Sequence, residues 1–152
     1  MSQSRLRTRA AGTRACLSMA LLWASAACSS PNPISAEGGA FPAEPYTTTT
    51  SSTGALVIDV RTSPQPPSIG TNDVQLSITR ASDGTPVDGL TVDVEPWMPS
   101  MGHGTSSTTV TPQGGGMYLV TDVYLYMQGV WSLRTTISGS MSDNAAPQLD
   151  IQ

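Results

Sequence analysis

The chain has 152 residues, enough for one folded domain; only 12% of them are charged and none is lysine. Beyond the first 28 residues three arginines face eleven acids, so that part has a net charge of 3 − 11 = −8. This acidic body argues against nucleic acid as a partner, because phosphate binding needs clustered basic side chains. Its lack of cysteine excludes disulfides and cysteine-based zinc sites after residue 28.

Residues 1–27 have the organisation of a bacterial export signal. Four arginines lie near the start, at positions 5, 7, 9 and 14, and an apolar run follows from Ala15 to Ala27. The run is too short to span a bilayer as a permanent helix. The sequence therefore predicts an extracytoplasmic protein of the periplasm or cell envelope.

The leader ends in Ser25-Ala26-Ala27-Cys28, which resembles a bacterial lipobox. In that motif small residues precede a cysteine that receives the lipid, so we expect a membrane anchor at Cys28. Ser25 stands where leucine is usual. The alternative is an ordinary secretory signal cut after Ala24-Ser25-Ala26, and both alternatives predict export.

Residues 28–53 are rich in Pro, Ser, Thr, Gly and Ala, with a threonine run at Thr47–Thr50. Such a composition offers little apolar surface to offset the entropy lost on ordering. We expect a lipid-anchored flexible tether that ends at residue 53.

From residue 54 to residue 152 the chain alternates apolar and polar residues over short stretches, as β-strands with one buried face do. No segment shows a sustained helical period. About seven strands of this kind predict an all-β, immunoglobulin-like β-sandwich with Trp131 in its core. The predicted strands lie near residues 56–60, 74–78, 90–94, 105–111, 117–127, 131–137 and 148–152. In the stretch 117–127, odd positions are expected to face the core, and Tyr118, Tyr124 and Tyr126 the other side.

One predicted loop, Trp97–Gly104, concentrates the potentially reactive side chains. It holds the only histidine of the chain, His103, together with Met98 and Met101. Thioether and imidazole donors suit Cu(I) and Ag(I) better than Mg, Ca or Mn. We expect these three side chains to bind Cu(I), with Trp97 covering the ion by a cation–π contact.

The same loop has a purely structural interpretation. Met98 and Met101 could fill the end of the sandwich, since flexible thioethers often pack in this way. The domain would then be a structural or protein-interaction module of an envelope assembly. Catalysis is not indicated in either case, because a single histidine without a body cysteine leaves only a serine triad, and no G-x-S-x-G motif occurs.

The residues Met98-Pro99-Ser100-Met101-Gly102-His103-Gly104 are similar to the MPxMGHG signature of YtkA-like domains, which are related to FixH-like domains. Gly116-Met117-Tyr118 and the segment 127–133 extend the resemblance, which covers about residues 55–140. The resemblance implies a small extracytoplasmic immunoglobulin-like domain. It also implies an association with metal handling, copper above all.

Overall fold

The computed structural model describes residues 41–105 and 108–152; the predicted export signal, Cys28 and the rest of residues 1–40 lie outside them. The described residues form ten strands, which confirms the all-β prediction. Among these residues there is no helix that could span a membrane. The strands are β1 Thr47–Thr50, β2 Leu56–Ser63, β3 Gly70–Arg80, β4 Thr91–Met98, β5 His103–Gly104, β6 Thr109–Gly114, β7 Met117–Leu125, β8 Gly129–Ser138, β9 Asp143–Ala145 and β10 Gln148–Ile151.

The strands pair antiparallel in two sheets. The first sheet has the order β1-β2-β3-β7-β6, and the second has the order β10-β8-β4-β5. The short strand β9 also pairs with β8, at residues 135–137, while β10 pairs with β8 at residues 129–132. The two inner faces enclose one hydrophobic core, so the described residues form a β-sandwich.

The core consists of the side chains that the alternation predicts. In β3, Val74, Leu76 and Ile78 are buried, and the polar residues between them are not. Trp131, the third residue of β8, is completely buried, as predicted. Each fully buried Val, Leu or Ile side chain stabilises the fold by about 1.5–3 kcal/mol relative to exposure. The same alternation buries Leu56, Ile58, Val60, Val92, Val94, Leu133, Ile137, Leu149 and Ile151.

The predicted alternation of β7 is wrong in its first half. Tyr118 and Val120 are buried, whereas Tyr124 is exposed as expected. The cause is an irregularity in the β3–β7 ladder, where the register shifts between Asn72 and Val74. Asp122 occupies the extra position in β7 with a φ of 64°, and this bulge exchanges the faces of the residues on either side.

The predicted tether does not extend to residue 53. Thr47–Thr50 form the edge strand β1, which pairs with β2 from Thr47↔Val60 to Thr50↔Val57. Backbone hydrogen bonds stabilise this strand, and they do not require apolar side chains. The low apolar content of the segment therefore hid the strand, although its four β-branched threonines favour one. The remainder of the predicted tether, residues 28–40, lies outside the described residues.

Asp143 fixes the turn that follows β1. Its carboxylate accepts hydrogen bonds from the Thr53 hydroxyl, the Thr53 amide at 3.2 Å and the Asn144 amide at 2.8 Å. Burial by itself would raise the pKa of Asp143, but the hydroxyls of Ser51 and Thr53 together with the backbone amides lower it to about 2. The carboxylate is therefore ionised in the folded protein at neutral pH.

Candidate metal site in the β4–β5 hairpin

The predicted Trp97–Gly104 loop is a tight hairpin. Trp97 and Met98 close β4, His103 and Gly104 form β5, and residues 99–102 make the turn between them. The Met98 carbonyl accepts hydrogen bonds from the amides of Met101, at 3.1 Å, and Gly102, at 3.0 Å. Gly102 has a φ of +68°, a conformation that a residue without a Cβ adopts at little cost.

Gly104 is required for the close approach of the two strands. A Cβ at this position would lie 2.6 Å from the Pro96 carbonyl oxygen and 3.2 Å from Cε3 of Trp97. The next residue, Thr105, donates its amide to the same carbonyl at 3.1 Å. A side chain at position 104 would therefore force β5 away from β4.

The hairpin places Met98 and His103 directly opposite each other. They are cross-strand partners in the β4–β5 register, so their side chains project from the same face of the sheet. Cβ atoms of such partners are about 4.5–5.5 Å apart. Met98 belongs to the hydrophobic core and is 4% exposed, while His103 is half-buried. The structure thus brings together two of the three predicted ligands.

Met101, the third predicted ligand, lies in the turn and is 56% exposed. It is separated from His103 by Gly102 alone. Its thioether is the solvent-accessible soft donor of the hairpin, in contrast to the buried thioether of Met98.

Trp97 is not brought together with these residues. Successive side chains of a strand point to opposite faces, so Trp97 projects away from Met98. Its ring is instead covered by Arg134, whose Cζ lies 3.7 Å from the ring centroid. Arg134 also forms an exposed ion pair with Glu95 at 3.7 Å. The cation–π partner of Trp97 in the structure is therefore a guanidinium group on the outer face of the second sheet.

The loop between β7 and β8 completes the site with residues that were not predicted. The Tyr126 hydroxyl lies 2.6 Å from Nδ1 of His103, and the two rings stack with centroids 5.8 Å apart. The Tyr126 ring also meets Trp131 edge-on at 5.3 Å. Met127 follows and packs against the core. The sequence gave no signal for this contact, because Tyr126 and His103 are 23 residues apart.

Gly129, at the start of β8, packs against the end of the Met98 side chain. A Cβ on Gly129 would lie 2.7 Å from Cε of Met98, and the φ of Gly129 is +123°. The position of the Met98 thioether is therefore set by the backbone of β8. Among the described residues, no three His, Cys, Asp or Glu side chains converge as a metal site.

A sequence profile of YtkA-like domains matches residues 55–136, more than half of the chain. The chain belongs to the YtkA-like family. The matched region begins at β2 and ends within β8, so it contains the β4–β5 hairpin and Tyr126. The strands β1, β9 and β10, which lie outside the match, complete the edges of both sheets of this YtkA-like domain. No curated protein and no solved structure gave a significant match to the chain.

Proposed function

We propose that this YtkA-like protein is a non-catalytic module of the cell envelope that binds a soft metal ion, Cu(I), through Met98, Met101 and His103. The observation that supports it is the hairpin register, which sets Met98 and His103 opposite each other on one face. The turn between them holds the exposed thioether of Met101. Three donors of the right chemical type thus belong to one six-residue segment.

The chemistry of the donors determines which ion fits. Two thioethers and an imidazole are neutral and soft to intermediate, which favours Cu(I) and Ag(I). Hard divalent cations prefer carboxylate and carbonyl oxygens and gain little from such a set. We therefore expect Mg(II) not to compete, and Zn(II) to bind more weakly than Cu(I).

Trp97 has no place in this proposal as a cover for the ion. It projects from the opposite face and already stacks with Arg134. The aromatic residue beside the proposed ligands is Tyr126.

A second candidate function rests on the burial of Met98. At 4% exposure its side chain is part of the core, and its methyl group packs against Gly129. This favours a hairpin that closes the end of the sandwich, in a structural or protein-interaction domain of an envelope assembly without metal. In that case Met98 contributes to stability and not to metal affinity.

Anaerobic titration with Ag(I), as a stable substitute for Cu(I), separates the two functions. The metal-binding function predicts one equivalent bound per chain and a higher melting temperature with metal, since a ligand that binds only the folded state stabilises it. Zn(II) and Mg(II) at the same concentration are the controls. A melting temperature that Ag(I) leaves unchanged would favour the structural domain.

We also propose that Cys28 anchors the protein to the membrane, based on the Ser25-Ala26-Ala27-Cys28 motif. Cys28→Ala should move the protein from the membrane fraction to the soluble fraction of the envelope. Mass spectrometry that finds a mature terminus at Ala27 without an acyl chain would contradict the anchor.

A further inference from the structure

Tyr126 links His103 to the core of the sandwich. One side of this link is the stack on His103, with ring planes 10° apart. The other side is the edge-on contact with Trp131, which is completely buried. The Trp131 indole nitrogen donates a hydrogen bond to the Met127 carbonyl at 3.0 Å, and this fixes the loop that holds Tyr126.

The backbone of His103 belongs to a short strand. Within residues 41–105 and 108–152, β5 is two residues long and pairs only with Trp97 and Met98 of β4. Backbone pairing fixes the direction of the Cα–Cβ bond, but it does not fix the rotation of the imidazole ring, which is broad and roughly two-fold. The plane of the ring must therefore be set by a neighbouring side chain, and Tyr126 is the ring that stacks on it.

The Tyr126 hydroxyl does not lie in the plane of the imidazole ring. The Tyr126 hydroxyl oxygen is 2.6 Å from Nδ1 and 3.3 Å from Nε2. The two nitrogens are bonded to the same ring carbon, Cε1. An oxygen that lay in the ring plane at both of these distances would overlap an atom of the ring. The hydroxyl therefore lies over the face of the imidazole. The in-plane directions of both nitrogens, along which a metal or a proton binds, stay free of it.

From this geometry we infer that Tyr126 is a positioning residue for His103. Its ring and its hydroxyl together hold the imidazole plane, so that a ring nitrogen is presented on the face that Met98 shares. The inference rests on the proposed metal-binding function, because positioning matters for a ligand. Outer groups that orient a metal-binding histidine commonly change metal affinity by about 10–100-fold when they are removed.

Three variants test the inference in the full chain. Tyr126→Leu removes the ring, Tyr126→Phe removes only the hydroxyl, and Tyr124→Leu is the matched control. Tyr124 is exposed and stacks on Tyr126, at 6.3 Å, and not on His103. The first readout needs no metal: the ring protons of the only histidine report the aromatic ring current by NMR. The second is Cu(I) affinity, measured anaerobically by competition with a chromogenic chelator.

Positioning by Tyr126 predicts that Tyr126→Leu loses the ring-current shift of His103 and binds Cu(I) about 10-fold or more weakly. Tyr124→Leu should keep both properties close to the parent's. Tyr126→Phe, which keeps the ring but loses the oxygen over the imidazole, should have an affinity between those of the parent and Tyr126→Leu. A folded Tyr126→Leu that keeps parental affinity overturns the inference. If that variant does not fold, Tyr126→Phe decides, because parental Cu(I) affinity and an unchanged His103 shift in it would overturn the inference.

The two failures are distinguishable. If the parent protein binds no Cu(I), the proposed function fails, whereas the metal-free NMR comparison still shows whether Tyr126 orients His103. If the parent binds Cu(I) and the His103 shift is the same with and without the Tyr126 ring, only the positioning role fails.

Discussion

Gly129→Ala should displace the Met98 thioether, and Gly70→Ala provides the matched control. Both glycines begin a strand at a similar φ, +123° for Gly129 and +113° for Gly70. A Cβ at Gly129 would meet Cε of Met98 at 2.7 Å, whereas a Cβ at Gly70 would meet nothing within 4 Å. The two substitutions thus share the backbone strain and differ in one contact.

The shared strain of an alanine in this region costs about 1–3 kcal/mol. The additional contact involves the far end of a flexible side chain, so Met98 can move by adopting a poorer rotamer. That costs about 0.5–1.5 kcal/mol. For a domain of this size, each kcal/mol corresponds to roughly 4–8 °C in melting temperature. Gly129→Ala should therefore melt a few degrees below Gly70→Ala, and it alone should weaken Cu(I) binding.

Urea unfolding and Cu(I) competition measure the two effects. A double-mutant cycle with Met98→Ala provides the internal check, because shortening Met98 removes the contact and should abolish the difference between the two glycine variants. If Gly129→Ala and Gly70→Ala have equal stability and equal metal affinity, the backbone of β8 does not set the position of Met98.

Three further substitutions test the fold and the hairpin. Asp143→Asn should destabilise the protein by about 2 kcal/mol at pH 7, because the folded-state pKa of about 2 lies below the unfolded value of 3.8. The ionised Asp143 carboxylate stabilises the fold above about pH 4. In chemical unfolding, the difference in free energy of unfolding between variant and parent should therefore vanish as the pH falls from 4 to 2. A difference that does not depend on pH would show that the charge of the carboxylate is not what stabilises the fold. Tyr118→Phe should cost about 1–3 kcal/mol by urea unfolding, because its buried hydroxyl donates to the Val87 carbonyl at 2.9 Å and accepts from the Leu90 amide at 3.2 Å. Gly104→Ala should lower the free energy of unfolding by about 1–3 kcal/mol, since its Cβ would collide with an immobile backbone carbonyl. The displaced β5 should also bind Cu(I) more weakly, and unchanged binding would show that β5 is not needed for the site.

The strands of the core could be predicted because their signal is local. Leu76 and Ile78 alternate with polar residues, and burial on one face follows from that pattern. The edge strand Thr47–Thr50 was missed because it lacks apolar alternation and is held by pairing with β2, although β-branched threonines favour a strand. The exchange of faces at Asp122 also escaped prediction, because it depends on a bulge in the ladder with β3.

The candidate site was predictable in part. The residue types of Met98 and His103 pointed to soft-metal chemistry, but their cross-strand partnership depends on the hairpin register. The orientation of Trp97 could have been found, because strand alternation already separates it from Met98. The contact of Tyr126 with His103 is long-range and follows only from the packing of the β7–β8 loop.

The most direct test of the central claim is an anaerobic Cu(I) titration of the parent protein and its ligand variants. The variants are His103→Ala and the double substitution Met98→Leu with Met101→Leu; leucine preserves most of the buried volume of methionine. Met117→Leu with Met141→Leu is the control, since these methionines lie outside the hairpin. The proposed site predicts one equivalent for the parent and the control, and affinity lower by about 10-fold or more in both ligand variants. A double-leucine variant that binds Cu(I) as tightly as the parent would contradict it and show that both thioethers serve only in packing.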